Sequence, residues 1–259
     1  GPSTSIRRGC PIPWCAAPPV IDGKLSPDEW RYAAAVSLFE WGPVRQEQPV
    51  FYVFRDRDNL YVAMESVESS TNGLVARCSQ HDSLRICGDD CVEMMIAPGA
   101  GEDLKQFDFP AFYWVLNSIG TVWDCKFVPL SAEDHNSWEG GAEVAHAVDG
   151  AYWSCEVRIP LAAIRKELPR DGTVWRMNFD RTYYSYQYCA WKTGAMNDGR
   201  VGGNVTFDRT APAIRLLGAE ALAAGRLNLT LEVANGTPRT QQVRLALNCR
   251  GQNTRDQAP

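Results

Sequence analysis

The amino-acid sequence predicts an all-β fold, a two-sheet antiparallel sandwich of jelly-roll or Ig-like kind with one or two short helices and a C-terminal β-strand extension. Three observations lead there. From Val20 onward, short alternating or apolar segments recur between Gly, Asp, Asn and Pro, the spacing of antiparallel strands joined by turns. Only two stretches carry helix-start signals. The chain has 259 residues, 45% of them hydrophobic, enough to bury a core without metals or disulfides as staples.

Residues 1–19 read as a tag scar, Gly1-Pro2, and an extended lead-in, because Cys10-Pro-Ile-Pro-Trp-Cys15 and Pro18-Pro19 are too proline-rich for a helix or a central strand. The first helix signal follows: Ser26 at a cap position, Pro27 at the first helical position, and Asp28 and Glu29 in the first turn. One or two helical turns fit there. Strands are expected at 50–54, 60–66, 90–97, 111–117, 122–128, 143–148, 151–159, 174–181 and 188–192. A second short helix begins at Pro160 and closes at Pro169.

Two strands reveal their buried faces by alternation. Trp175, Met177 and Phe179 share one side, with Arg176, Asn178 and Asp180 on the other. Likewise Trp153, Cys155, Val157 and Ile159 oppose Ser154, Glu156 and Arg158. Trp30, Trp153 and Trp175 therefore read as packing residues, and Arg158 with Glu156 as a surface charge pattern. After Phe207, Ile214-Arg-Leu-Leu ends the sandwich. A fresh strand at 227–233, a hairpin turn at Asn235-Gly236 and a partner strand at 242–248 follow. The expected division is a sandwich over 20–217 and, over 218–259, the start of a truncated second β domain or an appendage.

A formal net charge of -5 gives no general attraction to phosphate backbones, which argues against nucleic acid as a partner. No apolar run approaches the roughly 18 residues of a membrane span, so no membrane insertion is expected. Nine cysteines are many for a reducing compartment, and an odd number leaves at least one thiol unpaired. Cys87-x3-Cys91, with three histidines in the chain, is a poor zinc pattern. Cys125 and Cys155, inside alternating strands, read as small buried thiols before a cross-strand disulfide. Asp56-Arg57-Asp58-Asn59 has oxygen ligands at alternate positions, as calcium sites do, yet a tight turn explains the same residues better. Asn204 and Asn228 begin glycosylation sequons of the short kind that recurs by chance.

Several pieces in order carry a family resemblance: Pro19-Val-Ile-Asp-Gly-Lys-Leu-Ser-Pro-Asp-Glu-Trp30, Asp58-Asn-Leu-Tyr-Val-Ala63, Asp90-Cys-Val-Glu-Met-Met-Ile96, Trp153-Ser-Cys-Glu-Val-Arg-Ile-Pro160, Trp175-Arg-Met-Asn-Phe179 and the late Trp191. Over about residues 18–209 the chain resembles the family 9 carbohydrate-binding modules and the wider DOMON-like sandwich group. The resemblance implies a non-catalytic module that holds a larger secreted polysaccharide-processing protein, extracellular or periplasmic, against a polysaccharide or oligosaccharide. A catalytic domain tethered in the same protein is part of that expectation. In the family two tryptophans sandwich a terminal sugar. The later one matches Trp191, while the earlier falls at about Cys87, which leaves Trp114, Trp123 or Trp138 as an alternative platform. Glu93 matches a ligand-contacting carboxylate, and Trp114 falls near a family arginine. The site expected is thus Trp191, Glu93 and Asn178, with Trp114 and Arg176 as further ligand-binding candidates, no catalytic residues, and structural calcium as an ion the resemblance allows without naming its ligands.

Three other readings compete. A glycoside hydrolase or lyase would use paired carboxylates such as Glu93 and Asp180, yet no Gly-x-Ser-x-Gly or His-Glu-x-x-His accompanies them. A haem-carrying DOMON-like sandwich needs axial Met, His or Lys ligands, and no methionine and histidine pair stands out. The third is a structural scaffold whose sugar site has decayed.

Overall fold

The structure, a computed structural model, describes residues 9–37, 49–68, 73–98, 110–128, 135–184, 187–191, 202–222 and 226–244. In chain order the strands are β1 (Gly9–Ile12), β2 (Ala34–Val36), β3 (Val50–Arg55), β4 (Asn59–Val67), β5 (Cys91–Ala97), β6 (Ala111–Asn117), β7 (Val122–Phe127), β8 (Glu143–Asp149), β9 (Tyr152–Pro160), β10 (Val174–Tyr183), β11 (Gln187–Ala190), β12 (Gly203–Phe207), β13 (Ala213–Leu222) and β14 (Arg226–Ala234). Two single helical turns, α1 (Pro27–Trp30) and α2 (Leu161–Ile164), complete the α-helix among the described residues.

The strands make an all-β sandwich. One sheet runs β2-β3-β4-β9-β8, the other β1-β12-β10-β5-β6-β7 with β11 also on β10. Between them lies the main core, built from inward side chains of both sheets. Phe51 meets Phe179 with ring centroids 5.0 Å apart, and Trp175 meets Phe207 edge-on at 4.8 Å. Trp153 and Trp175 are buried as their alternation predicts. Each sheet also covers its outer face. Trp30 of α1 packs with Phe54, Tyr61 and Ala63 behind the five-stranded sheet. Behind the other, Cys78 and Ile86 lie over Cys91, Met95, Tyr113 and Val115.

Several sequence expectations are corrected. The lead-in forms β1, paired in parallel with β12; Pro11 is tolerated because β1 is an edge strand, which needs no inner N–H. At Ser26 one of the one or two expected helical turns forms, and beyond it Ala34 and Val36 are buried by pairing with β3. α2 stops at Ile164, and Arg165 is extended. Leu161 and Ile164 are buried there while 165–167 are exposed, so propensity alone does not carry the helix further. Segment 213–222 does not end in coil; it pairs with β14. Asn235-Gly236 is then no hairpin apex, and 235–244 carry no strand. The rest of the partner strand expected at 242–248 lies outside the described residues.

Glu156 and Arg158 are also not one surface pattern. Glu156 is fully buried and accepts from Trp30 Nε1 at 2.7 Å, Gly23 N at 2.8 Å and Asp22 N at 2.9 Å. It therefore staples the lead-in and α1 to the five-stranded sheet, and burial raises its carboxyl above the ordinary value despite those donors. Arg158 pairs instead with Glu143 at 2.5 Å. A second polar anchor sits inside the core. Arg181 continues the inward parity of Trp175, Met177 and Phe179, its guanidinium 4.6 Å from the Trp153 ring centroid and 4.4 Å from that of Tyr183. Asp90 at 3.0 Å and Glu68 at 3.4 Å neutralise it.

Candidate functional site

β10 organises the outer face of the larger sheet. Along one side it pairs with β5, which places Asp180 opposite Glu93, Asn178 opposite Met95, Thr182 opposite Cys91 and Arg176 opposite Ala97. One strand further, β6 sets Tyr113 opposite Met95 and Val115 opposite Glu93. Because side chains alternate across a strand, all of these point away from the core. The result has two parts. Toward β6 and β7 the face is apolar and aromatic, with Tyr113 edge-on to Trp123 at 5.6 Å and Trp123 Nε1 donating to Asn136 Oδ1 at 3.2 Å. Along β10 it is polar, with Arg176, Asn178, Asp180 and Thr182 in one row, and Glu93 stands beside them among Cys91, Met95 and Ala97 of β5.

Glu93 is held from both sides. Its Oε1 accepts from Thr182 Oγ1 at 2.6 Å, and its Oε2 from the Tyr113 hydroxyl. Asp180, its neighbour across the strand pair, is 2% exposed and has a buried Oδ1 with no hydrogen-bond partner. Burial pushes the Asp180 carboxyl up to about 9, the Glu93 charge adds to the rise and Arg181 opposes it. That rise favours the protonated form of Asp180, which donates as well as accepts. Burial, and then the Glu93 charge, likewise lift the Tyr113 phenol well above its ordinary value. The face carries two carboxyl groups, an amide, a guanidinium and two aromatic rings; Glu93, Asp180, Asn178, Tyr113 and Trp123 are all buried, and Arg176 is the part-exposed member. Hydroxyl-rich molecules with an apolar C–H surface are bound by that combination.

The structure divides the five residues singled out from the sequence. Glu93, Asn178 and Arg176 share this face. Trp114 and Trp191 lie on the opposite side of the sheet, in the core, at 0% and 4% exposure. Trp191 packs on Phe179 with centroids 5.9 Å apart. Its indole also fills the space that a side chain at Gly203 would need. Trp114 stands edge-on to Trp138 at 5.4 Å, and a Cβ at Gly140 would come within 2.8 Å of its indole. Neither indole presents an open platform. Asp180, Thr182, Tyr113 and Trp123 complete the outer face. Their signal is the parity of β10 and β5 carried across to β6, but β6 is buried along its whole length, so alternation cannot be read within it.

The position expected to hold the family's earlier tryptophan, Cys87, lies on a 3-10 turn (Leu84–Gly88) and packs half-buried against the outer cluster. Cys125 belongs to that same cluster and Cys155 to the main core. Both are free thiols, pushed up to about 12, chiefly by burial. The Asp56 loop is a turn: Oδ1 accepts from Asp58 N at 2.8 Å and Asn59 N at 2.7 Å, and Oδ2 from the Tyr61 hydroxyl at 2.6 Å.

No model of a known protein family matches the chain, and no curated protein matches it. Solved structures do. A Bacteroides uniformis protein assigned to carbohydrate binding aligns at TM-score 0.60 and 15% identity, over 78% of this chain and 100% of that one. A family 9 carbohydrate-binding module of Caldicellulosiruptor kristjanssonii in complex with cellotriose aligns at TM-score 0.54 and 16% identity, over 78% of this chain and 94% of that one. A family 9 module from the same organism in complex with glucose gives 0.51 and 14%, over 78% and 96%. At these identities the likeness establishes the fold, and it is the fold that the sequence predicts.

Proposed function

We propose that this sandwich, family 9-like in its fold, is a non-catalytic carbohydrate-binding module whose glycan lies on the outer face of the larger sheet. The observation that carries the reading is the row Arg176, Asn178 and Asp180 on β10, with Glu93 of β5 opposite Asp180, in which one buried carboxyl oxygen has no partner. Glu93 fixes an acceptor, Asp180 supplies a donor, and Asn178 and Arg176 read further hydroxyls. Tyr113 and Trp123 are buried and pack edge-on, so they back Glu93 from beneath rather than offering an open ring. The neighbours' sugars, cellotriose and glucose, make β-linked glucans the first ligands to try. The module would serve a larger secreted polysaccharide-processing protein by holding its catalytic domain near substrate.

The absence of catalysis is part of the proposal. A glycosidase needs two carboxyl groups flanking a bond, roughly 5–9.5 Å apart, one of them free to attack or to activate water. Here both oxygens of Glu93 are engaged by Tyr113 and Thr182, which suits a fixed acceptor. Titration calorimetry with cellotriose, preceded by a glycan array, tests the site. Asn178→Ala is expected to weaken binding about tenfold or more, and because the amide is fully buried a thermal melt run beside it must show a folded protein at the titration temperature. An array on which no glycan is retained would end the reading, and release of reducing ends from cellotriose would move it to a hydrolase.

A further inference from the structure

A second cleft lies apart from that face, where the lead-in, the turn after α1 and the segments flanking the β13–β14 hairpin meet. Its volume is about 440 Å³, and Trp14, Tyr32, Arg209, Ala211, Pro238 and Arg239 are among its lining residues. That size falls within the roughly 300–1,000 Å³ of small-molecule sites. Tyr32 is 37% exposed and rests on Gly236, where a Cβ would come within 3.0 Å of its ring. Trp14 is half-buried, with the Arg55 guanidinium 5.2 Å and that of Arg209 5.3 Å from its ring centroid. Such a pair of rings at one opening offers apolar surface to a ligand, and the guanidiniums around it offer donors.

Charge decides which ligand. Arg55 and Arg209 share a single carboxylate, Asp171, at 3.3 and 2.6 Å. Asp208 is taken up by its own turn, accepting from Thr210 N and Oγ1 at 2.9 and 2.7 Å. Arg239 lines the cleft, Arg31 lies over Tyr32 at 5.8 Å, and no acidic residue is among the described residues of the lining. In a chain of net charge -5, this is a local positive basin with aromatic walls. We infer that the cleft is a second glycan site, for a sugar ring bearing a carboxylate, that is, a uronic acid. The carboxylate takes the planar fork of Arg239, which matches it with two parallel hydrogen bonds. The C–H face of the ring lies against Tyr32 and Trp14. The inference borrows only the choice of a sugar from the proposed function; its residues are separate.

The test is titration of the full chain with a galacturonic acid trimer and, separately, with cellotriose. The trimer is expected to bind, and to lose about tenfold or more in affinity in both Tyr32→Ala and Arg239→Gln. It should bind Asn178→Ala as it binds the parent. Higher salt should weaken it, as screening demands. Arg239 is exposed, so the melting temperature of Arg239→Gln should match the parent's; Tyr32 rests on Gly236, so the melt of Tyr32→Ala must show a folded protein at the titration temperature. No trimer binding, or trimer binding indifferent to Tyr32→Ala and Arg239→Gln, overturns the cleft. Failure of cellotriose alone overturns the outer-face reading and leaves the cleft to its own result.

Discussion

Asp180 is the residue whose environment makes the sharpest solution prediction. Its ordinary pKa is near 3.8 and burial lifts it to about 9 in the folded chain. Between those values the folded protein holds a proton that unfolding releases. The contribution of this group is therefore fully favourable below about pH 4, and stability declines as pH rises toward 9. Asp180→Asn keeps a neutral side chain at all pH, so its melting temperature should fall less than the parent's between pH 5 and pH 8.5; identical slopes would show that Asp180 is ionised. At the same scale, Trp191→Ala removes an indole that is 4% exposed and should cost about 3–5 kcal/mol in urea denaturation. Lost glycan affinity with unchanged stability would return Trp191 to the site. The outward side of β10 was legible because Asn178 and Arg176 alternate with large apolar residues. Trp191 misleads because a tryptophan beside a glycine-bearing stretch reads the same whether the glycine frees a loop or, like Gly203, makes room for a packed indole.

Elements were legible where one face is wet or where an apolar run is bounded by turns, and β3 to β10 lie within two residues of their expected bounds. Elements too short to show a period were not. β2 has three residues and β1 has four, and both exist through pairing with distant strands. Long-range polar staples are equally hidden. Parity puts Arg181 on the inward side of β10, but nothing local shows that it joins β10 to Asp90 before β5 and to Glu68 after β4. Arg181→Met is expected to destabilise by about 3–5 kcal/mol, because it strands Asp90 as an uncompensated buried charge. The double variant Arg181→Met/Asp90→Asn should recover part of that loss. A thermal melt series of the three proteins checks it, and strictly additive losses would mean that the pair does not interact.

At the scale of the whole molecule, the open question is where the sandwich ends. Ala213 and Ala234 are buried, and Arg215 reaches across to the Trp30 carbonyl and lies 5.1 Å from the Tyr52 ring centroid. We propose that the hairpin of β13 and β14 is an appendage clipped to the smaller sheet. Ending the chain after residue 212 should then leave one cooperative melt at a somewhat lower temperature. Ending it after 217 should be worse, since half of β13 would remain without its partner and expose an edge. Loss of the cooperative melt in the shorter chain would make the hairpin part of the core. One last feature bears on how such a protein diversifies. β10 is long enough to take two strands end to end on one side, β12 against Val174–Met177 and β11 against Asp180–Tyr183. The chain thus leaves the sheet beside Asp180 and rejoins it beside Met177, three residues away on the same strand. Each ladder sets its own register, so a change in the number of residues joining β11 to β12 would leave both pairings on β10 as they are.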